Sequence, residues 1–233
     1  MNAVITGGSK GIGFEIAKAL AREGYNIILC ARHGGDLDQA QQDLVKINPN
    51  VDVFCHPVDL SDKRQTINFA AWVKTKWSTI HVLVNNAGAF RPGQVTTEED
   101  GALENMMAAN VYSAYHVTRS LLPLMLPQKQ GHIFNLCSIA SFMAYPNGGS
   151  YSISKFALLG FSRVLREELK ATGIKVTALL PGATWSDSWQ GVDLPEDRLI
   201  ATADIGKLVL AILQLSPSAD VEELIIRPQL GDL

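Results

Sequence analysis

Two textures of apolar residues alternate along the chain. Compact apolar runs occupy residues 3–6, 25–31, 51–58, 80–84, 131–137, 174–180 and 221–226. Short runs with little polar interruption read as strands covered on both faces. Between them the apolar positions recur three or four apart, which predicts helices over 14–24, 36–47, from an N-cap at Ser61 to Trp77, and over 97–126, 150–172 and 203–215. Asn48-Pro49-Asn50 closes the second helix, Pro127 the fourth, and Gly173 caps the fifth. Alternating strand and helix calls for one parallel sheet with helices on both faces and right-handed crossovers. The expectation is a single α/β domain over residues 1–233, doubly wound, with seven mainly parallel strands and no linker or repeat.

In such sheets ligands sit beyond the carboxyl ends of the strands, so the residues after each run carry the chemistry. The first run leads into Gly7-Gly8-Ser9-Lys10-Gly11-Ile12-Gly13 and then a helix. Glycines there let the backbone approach a pyrophosphate, whose charge meets the helix amino end. The spacing Gly7-x-x-x-Gly11-x-Gly13 differs from the common dinucleotide fingerprint. After the second run, an acid would hold the ribose of NAD; the residues are Ala31, Arg32 and His33, and the first acid is Asp36. The Arg32 guanidinium, with Lys10 as a second cation, suits the 2′-phosphate of NADP, so NADP(H) is favoured over NAD(H). Asp59, Asn85-Asn86-Ala87-Gly88, Ser138 and Pro181-Gly182 follow later runs and converge on the same rim.

Residues 138–155 carry the candidate catalysis. Tyr151 and Lys155, four apart, leave one face of a helix. A tyrosine titrates near 10, and an adjacent ammonium favours its phenolate and brings it toward a working range. Ser138, just upstream, is placed to hydrogen-bond a substrate oxygen beside the phenol. Asn110 lies in the apolar helical stretch AANVYSAYHV, where a buried amide needs partners.

Composition narrows the function classes. At 47% hydrophobic and 18% charged, the chain has ample core and a surface lean in charge, which points to burial against other subunits. A net charge of -3 gives no basic excess for nucleic acid. No apolar run is long enough to span a bilayer, and Met1-Asn2-Ala3 leads straight into a strand without a basic leader, so a cytoplasmic location is expected. Cys30, Cys55 and Cys137 are isolated in apolar runs, and the five histidines lack metal-ligand spacing, so no metal is expected.

Taken in order, Thr6-Gly7-x-x-x-Gly11-x-Gly13, Asn85-Asn86-Ala87-Gly88, Asn110, Ser138, Tyr151-x-x-x-Lys155 and Pro181-Gly182 resemble the motifs of the short-chain dehydrogenase/reductase family across nearly the whole chain. The resemblance implies a Rossmann-type domain that interconverts a carbonyl and an alcohol by hydride transfer. It implies Tyr151 as the acid/base, Ser138 on the same oxygen, Lys155 lowering the tyrosine pKa and holding the nicotinamide ribose, and Asn110 anchoring a water in a proton relay. For the cofactor it implies Gly7, Ser9, Lys10, Gly11, Ile12 and Gly13 at the phosphates and adjoining ribose. Asp59 and Leu60 would flank the adenine, Asn86, Ala87 and Gly88 the ribose beyond, and Pro181, Gly182, Ala183 and Thr184 the nicotinamide end.

Candidate substrates by resemblance are small-molecule ketones of the 3-oxoacyl-thioester or sepiapterin type. The alternatives are an NAD-dependent alcohol dehydrogenase of the same family and a dinucleotide sensor without chemistry. Two departures stand out: the bulky Trp185 and Trp189, either of which lines a substrate pocket or else covers the core or a subunit contact, and a short lid over 185–200. The family's subunit contacts through the helices of Asn110 and Tyr151, and through the last helix and strand, imply a homodimer or homotetramer.

Overall fold

The computed structural model describes residues 1–186 and 191–232. Seven strands, β1 (Asn2–Thr6), β2 (Asn26–Ala31), β3 (Val53–Pro57), β4 (Val82–Asn85), β5 (Gly131–Leu136), β6 (Ile174–Pro181) and β7 (Glu223–Ile226), form one sheet in the order β3-β2-β1-β4-β5-β6-β7. All six pairings are parallel. The chain winds outward from β1 in one direction and from β4 in the other, so the β1–β4 seam is the switch point at which a crevice opens beyond the strand ends.

The alternation within each strand sorts the core into two layers. Ile5, Ile27, Leu29 and Phe134 pack with Ile16 and Leu20 of α1 (Gly11–Arg22), Leu37 and Leu44 of α2 (Gly34–Ile47) and Ile205 and Val209 of α7 (Thr202–Leu213). Their neighbours Val4, Ile28, Leu83 and Ile133 point the other way. They meet Phe69 and Val73 of α3 (Lys63–Lys76), Val117 and Leu121 of α5 (Ser113–Leu121) and Leu165 of α6 (Gly149–Leu169). Period-two geometry places successive side chains on opposite faces, which is why the strands are apolar throughout. No helix among the described residues is long and apolar enough to cross a membrane.

Two sequence expectations change. The cap of α3 is Asp62, whose Oδ1 accepts the Gln65 N–H at 3.0 Å, and not Ser61. Ser61 is taken instead by Asp59, whose Oδ1 accepts its N–H at 2.9 Å and its hydroxyl at 2.7 Å. The long helix expected over 97–126 is broken. It starts only at α4 (Ala102–Met107), after Gly101 at φ +86, and passes through a π turn at Ala108–Tyr112 before α5. It then decays into short 3₁₀ turns at Leu122–Leu124 and Leu126–Gln128, each with a proline in its first two positions. A proline has no N–H for the preceding turn, and its ring clashes with that turn, so Pro123 already ends the α-helix.

One polar side chain inside the sheet has a thermodynamic signature. His132 on β5 is buried, stacks on Phe134 with ring centroids 4.1 Å apart, and pairs its Nε2 with Thr177 Oγ1 at 2.7 Å. The Thr177 hydroxyl donates onward to the Val221 carbonyl at 2.6 Å, so it accepts from His132, and the imidazole is the neutral Nε2–H tautomer. Burial drives its pKa from 6.5 down to about 3. Between those values the unfolded chain binds a proton that the native state refuses, so this contribution to stability is complete above pH 6.5 and is lost as pH falls toward 3. Urea unfolding of His132→Gln should show a shallower acid-side loss than wild type, by about 1.4 kcal/mol per pH unit at most. Equal losses in the two proteins between pH 7 and pH 4.5 would refute the assignment.

Candidate functional site

The carboxyl ends of the strands open into one cleft of about 1280 Å³. It runs from the glycine turn after β1, past the end of β2, to the segments after β5 and β6. Gly7, Ser9, Lys10, Gly11, Ile12, Arg32, Asp59, Leu60, Asn86, Ala87, Gly88, Ser138, Tyr151, Lys155 and the turn Pro181-Gly182-Ala183-Thr184 all line it. Gly13 and Asn110 stand behind that lining as supports.

At the glycine end the turn is tied down from the switch point. Thr6 Oγ1 accepts the N–H groups of Asn86 and Ala87, both at 3.0 Å. The Asn86 amide donates back to the carbonyls of Thr6 at 2.9 Å and Gly7 at 2.8 Å. A Cβ on Gly13 would strike both that amide and the Gly7 carbonyl, so only glycine permits this approach of helix to turn. Helix α1 begins at Lys10 with no side-chain cap and no acid in its first turn. Its amino-terminal N–H groups therefore present positive potential to the cleft, the environment an anionic phosphate bridge requires. On that observation the residues fit a dinucleotide.

Beyond the glycine turn, Arg32 is exposed at the end of β2. Lys10, the expected second cation, reaches Asp36 at 3.0 Å. That pair is largely solvated, so it holds Lys10 weakly and brings Asp36 to the cleft wall.

The opposite end holds the candidate chemistry. Ser138 ends the run from β5, and its Oγ accepts the Ala140 N–H at 3.1 Å in a capping box with Ser141. Tyr151 lies in the first turn of α6 and lines the cleft with Ser138. Lys155, one turn on, is buried; its Nζ donates to the Leu136 carbonyl at 2.7 Å and lies 5.7 Å from the Tyr151 ring centroid. Burial lowers the Lys155 pKa to about 8. Burial also raises Tyr151 above the ordinary phenol value, and the Ser138 hydrogen bond is what pulls it back. The Lys155 Nζ is turned toward the Leu136 carbonyl.

Asn110 sits in the π turn, fully buried, and has the partners its position demands. Its Oδ1 accepts the Ala89 N–H at 2.7 Å, and its Nδ2 donates to the Ala89 carbonyl at 3.1 Å and to Ser154 Oγ at 2.8 Å. The Ser154 hydroxyl donates to the Tyr151 carbonyl at 2.7 Å. A Cβ on Gly88 would stand 2.7 Å from Asn110 Oδ1, so the turn after β4 requires glycine there.

Sequence reasoning missed three contributors. Glu98, from the loop before α4, accepts the Ser150 N–H at 2.8 Å and the Ser150 hydroxyl, and so anchors the start of α6 one residue before Tyr151. Asp232 lines the cleft from the chain's last segment, accepting the Ala183 N–H at 3.1 Å and pairing with Arg227 at 2.6 Å. Phe90 sets its ring edge on Tyr151. Glu98 and Asp232 are ordinary surface acids in the sequence, far from what they hold; Phe90, two residues past the Asn-Asn-Ala-Gly turn, was readable by adjacency. Trp185 is not among the lining residues; its N–H donates to the Ile200 carbonyl at 2.9 Å. Trp189 lies outside the described residues.

Comparisons with known proteins agree with this geometry. Residues 1–197 match the family model of the short chain dehydrogenases. An uncharacterized oxidoreductase of Staphylococcus saprophyticus is 30% identical over 226 residues, 97% of this chain and 96% of that protein. An alcohol dehydrogenase from the archaeon Thermococcus sibiricus, solved with 5-hydroxy-NADP, superposes with a TM-score of 0.90 at 28% identity, covering 100% of this chain and 98% of that one. L-Sorbose reductase from Gluconobacter frateurii, solved with NADPH and L-sorbose, gives 0.87 at 25% identity, covering 97% and 94%. Switch-point cleft, glycine turn and Ser-Tyr-Lys cluster thus occur in a chain that belongs to the short chain dehydrogenase family and is an oxidoreductase of it.

Proposed function

We propose that this protein is an NADP(H)-dependent reductase/dehydrogenase that interconverts a small-molecule carbonyl and its alcohol, with Tyr151 as acid/base. The observation that carries the reading is the meeting of Ser138, Tyr151 and Lys155 at the end of a cleft whose other end is a glycine turn. When bound, a reduced nicotinamide supplies hydride to the carbonyl carbon. The chain's own residues do the rest. Ser138 and Tyr151 hold the carbonyl oxygen, and Tyr151 donates its proton as negative charge develops there. A phenol whose pKa is raised by burial retains that proton until the oxygen becomes basic. Lys155, lowered to about 8, is poised to return a proton to the phenolate. Asn110 fixes the spacing between the Asn86–Gly88 turn and α6; a water anchored there would link Lys155 to solvent.

Tyr151→Phe keeps the ring and removes the acid. It should lower kcat/KM for ketone reduction by about a hundredfold to ten-thousandfold while leaving dinucleotide affinity near wild type. Activity within tenfold of wild type would sink the assignment.

The preference for NADP(H) is supported by Arg32 at the end of β2, by the absence of an acid at residues 31–33, and by neighbours solved with NADP or NADPH. Charge-assisted bonds to the 2′-phosphate predict that Arg32→Glu lowers the NADPH-to-NADH ratio of kcat/KM by at least about tenfold. The second reading, NAD dependence, draws on Asp36, which reaches the same wall. It would win if wild type used NADH more efficiently than NADPH. The sensor alternative has no support in a site with its serine, tyrosine and lysine intact.

We also propose a homodimer or homotetramer. Ile153, Phe156 and Val164 form an exposed apolar stripe along α6, and Tyr112 and Tyr115 are exposed on the adjoining helical segment. A stripe at three- and eight-residue spacing on a helix that is otherwise packed calls for a cover, and a second copy of the same helices supplies one. A monomeric mass by light scattering at micromolar concentration would overturn it.

A further inference from the structure

The cleft beyond Tyr151 is walled by large apolar side chains that the protein leaves uncovered. The Phe90 and Tyr151 rings meet edge to face, with centroids 4.9 Å apart at 88°, yet Phe90 is 44% exposed. Met143, Tyr145 and Val192 line the same cleft and are 38%, 39% and 46% exposed. They come from three separate segments, after β4, between β5 and α6, and after residue 190. Single exposed apolar residues are ordinary, but side chains from three segments gathered at one opening, one of them on the catalytic phenol, mark a binding surface. Polar groups line the cleft as well. The Thr184 hydroxyl is buried and donates to the Gly182 carbonyl at 2.9 Å, while Arg91 and Asn105 are exposed. Against the wall of rings, a thioether and a branched aliphatic, a polyol would lose hydration that an apolar group has no need of.

We infer that the substrate is a ketone carrying a bulky apolar group, aromatic or alicyclic, that lies on Phe90, Met143, Tyr145 and Val192, with Phe90 determining specificity. The inference rests on the carbonyl-reductase reading and deepens it. The reaction balances as before: the carbonyl carbon takes hydride, with its two electrons, from the reduced dinucleotide, and the oxygen takes the Tyr151 proton. The products are a secondary alcohol and the oxidised dinucleotide.

The test is steady-state kinetics on 1-phenyl-1-propanone, 2-butanone and fructose, with whichever of NADPH or NADH the protein uses. The phenyl ketone should exceed 2-butanone in kcat/KM by at least about tenfold and fructose by at least about a hundredfold. Phe90→Ala should cut the phenyl-to-butanone ratio by about tenfold, mainly through KM, and Met143→Ser by about threefold. Turnover in which fructose matches or beats the phenyl ketone, or a ratio unmoved in both variants, overturns the inference and leaves the reductase reading standing. A changed oligomeric mass in the variants with an unchanged ratio also overturns it, assigning the apolar rim to a subunit contact. Failure to turn over any carbonyl compound overturns both.

Discussion

The buried amide of Asn110 is the joint on which the site depends. Its two bonds to Ala89 hold the turn after β4, and its bond to Ser154 reaches α6 beside the Tyr151 carbonyl. The Asn110 and Ser154 side chains lie away from bulk water, so a missing partner would leave their donors and acceptors stranded at about 1–3 kcal/mol each. The network therefore sets the distance between the glycine-bounded wall and the phenol before any ligand arrives. In the proposed reaction such preorganisation would let Ser138 and Tyr151 act without rearranging.

The two ends of the cleft are electrostatic opposites. Arg32, Lys10 and Asp36 are solvated, and their charges act through a high dielectric. Tyr151 and Lys155 are desolvated, and each is pushed toward its neutral form, the phenol upward and the ammonium downward to about 8. With a pKa of about 8 Lys155 still carries its proton at pH 7, and its charge is met by the Leu136 carbonyl, while the phenol stays neutral. Cys137, between Leu136 and Ser138, is held protonated by the same burial, its thiol raised to about 12.

Much of this was legible in the sequence because it depends on local chemistry. Strand runs announce two-sided burial, and the glycines after β1 announce a turn that no side chain tolerates. Tyr151 and Lys155 announce a shared helical face. What escaped reading depends on contacts between distant segments. Nothing local distinguishes Glu98 from its neighbours Glu99 and Asp100, yet Glu98 alone reaches Ser150. Asp232 gains meaning only where the last segment crosses Ala183. Ser61 and Asp62 are both good caps, and Asp59 decided between them by claiming Ser61. In the same way, helical spacing fixes where Lys155 stands, while the carbonyl of Leu136 fixes where its Nζ points.

The π turn at Ala108–Tyr112 has a mechanical meaning. It contains one residue more than an α turn needs, and each residue advances a helix by about 100°. The extra residue thus acts as a phase shifter within a single rod. Upstream of it α4 addresses α6; downstream, α5 addresses α3 and β4. Were the rod one residue shorter there, its two halves would fall into a common rotational setting. Val117 and Leu121 would then keep their seats near Phe69 only if Asn110 swung away from Ala89. The insertion lets core and cleft wall be satisfied by one helix at once.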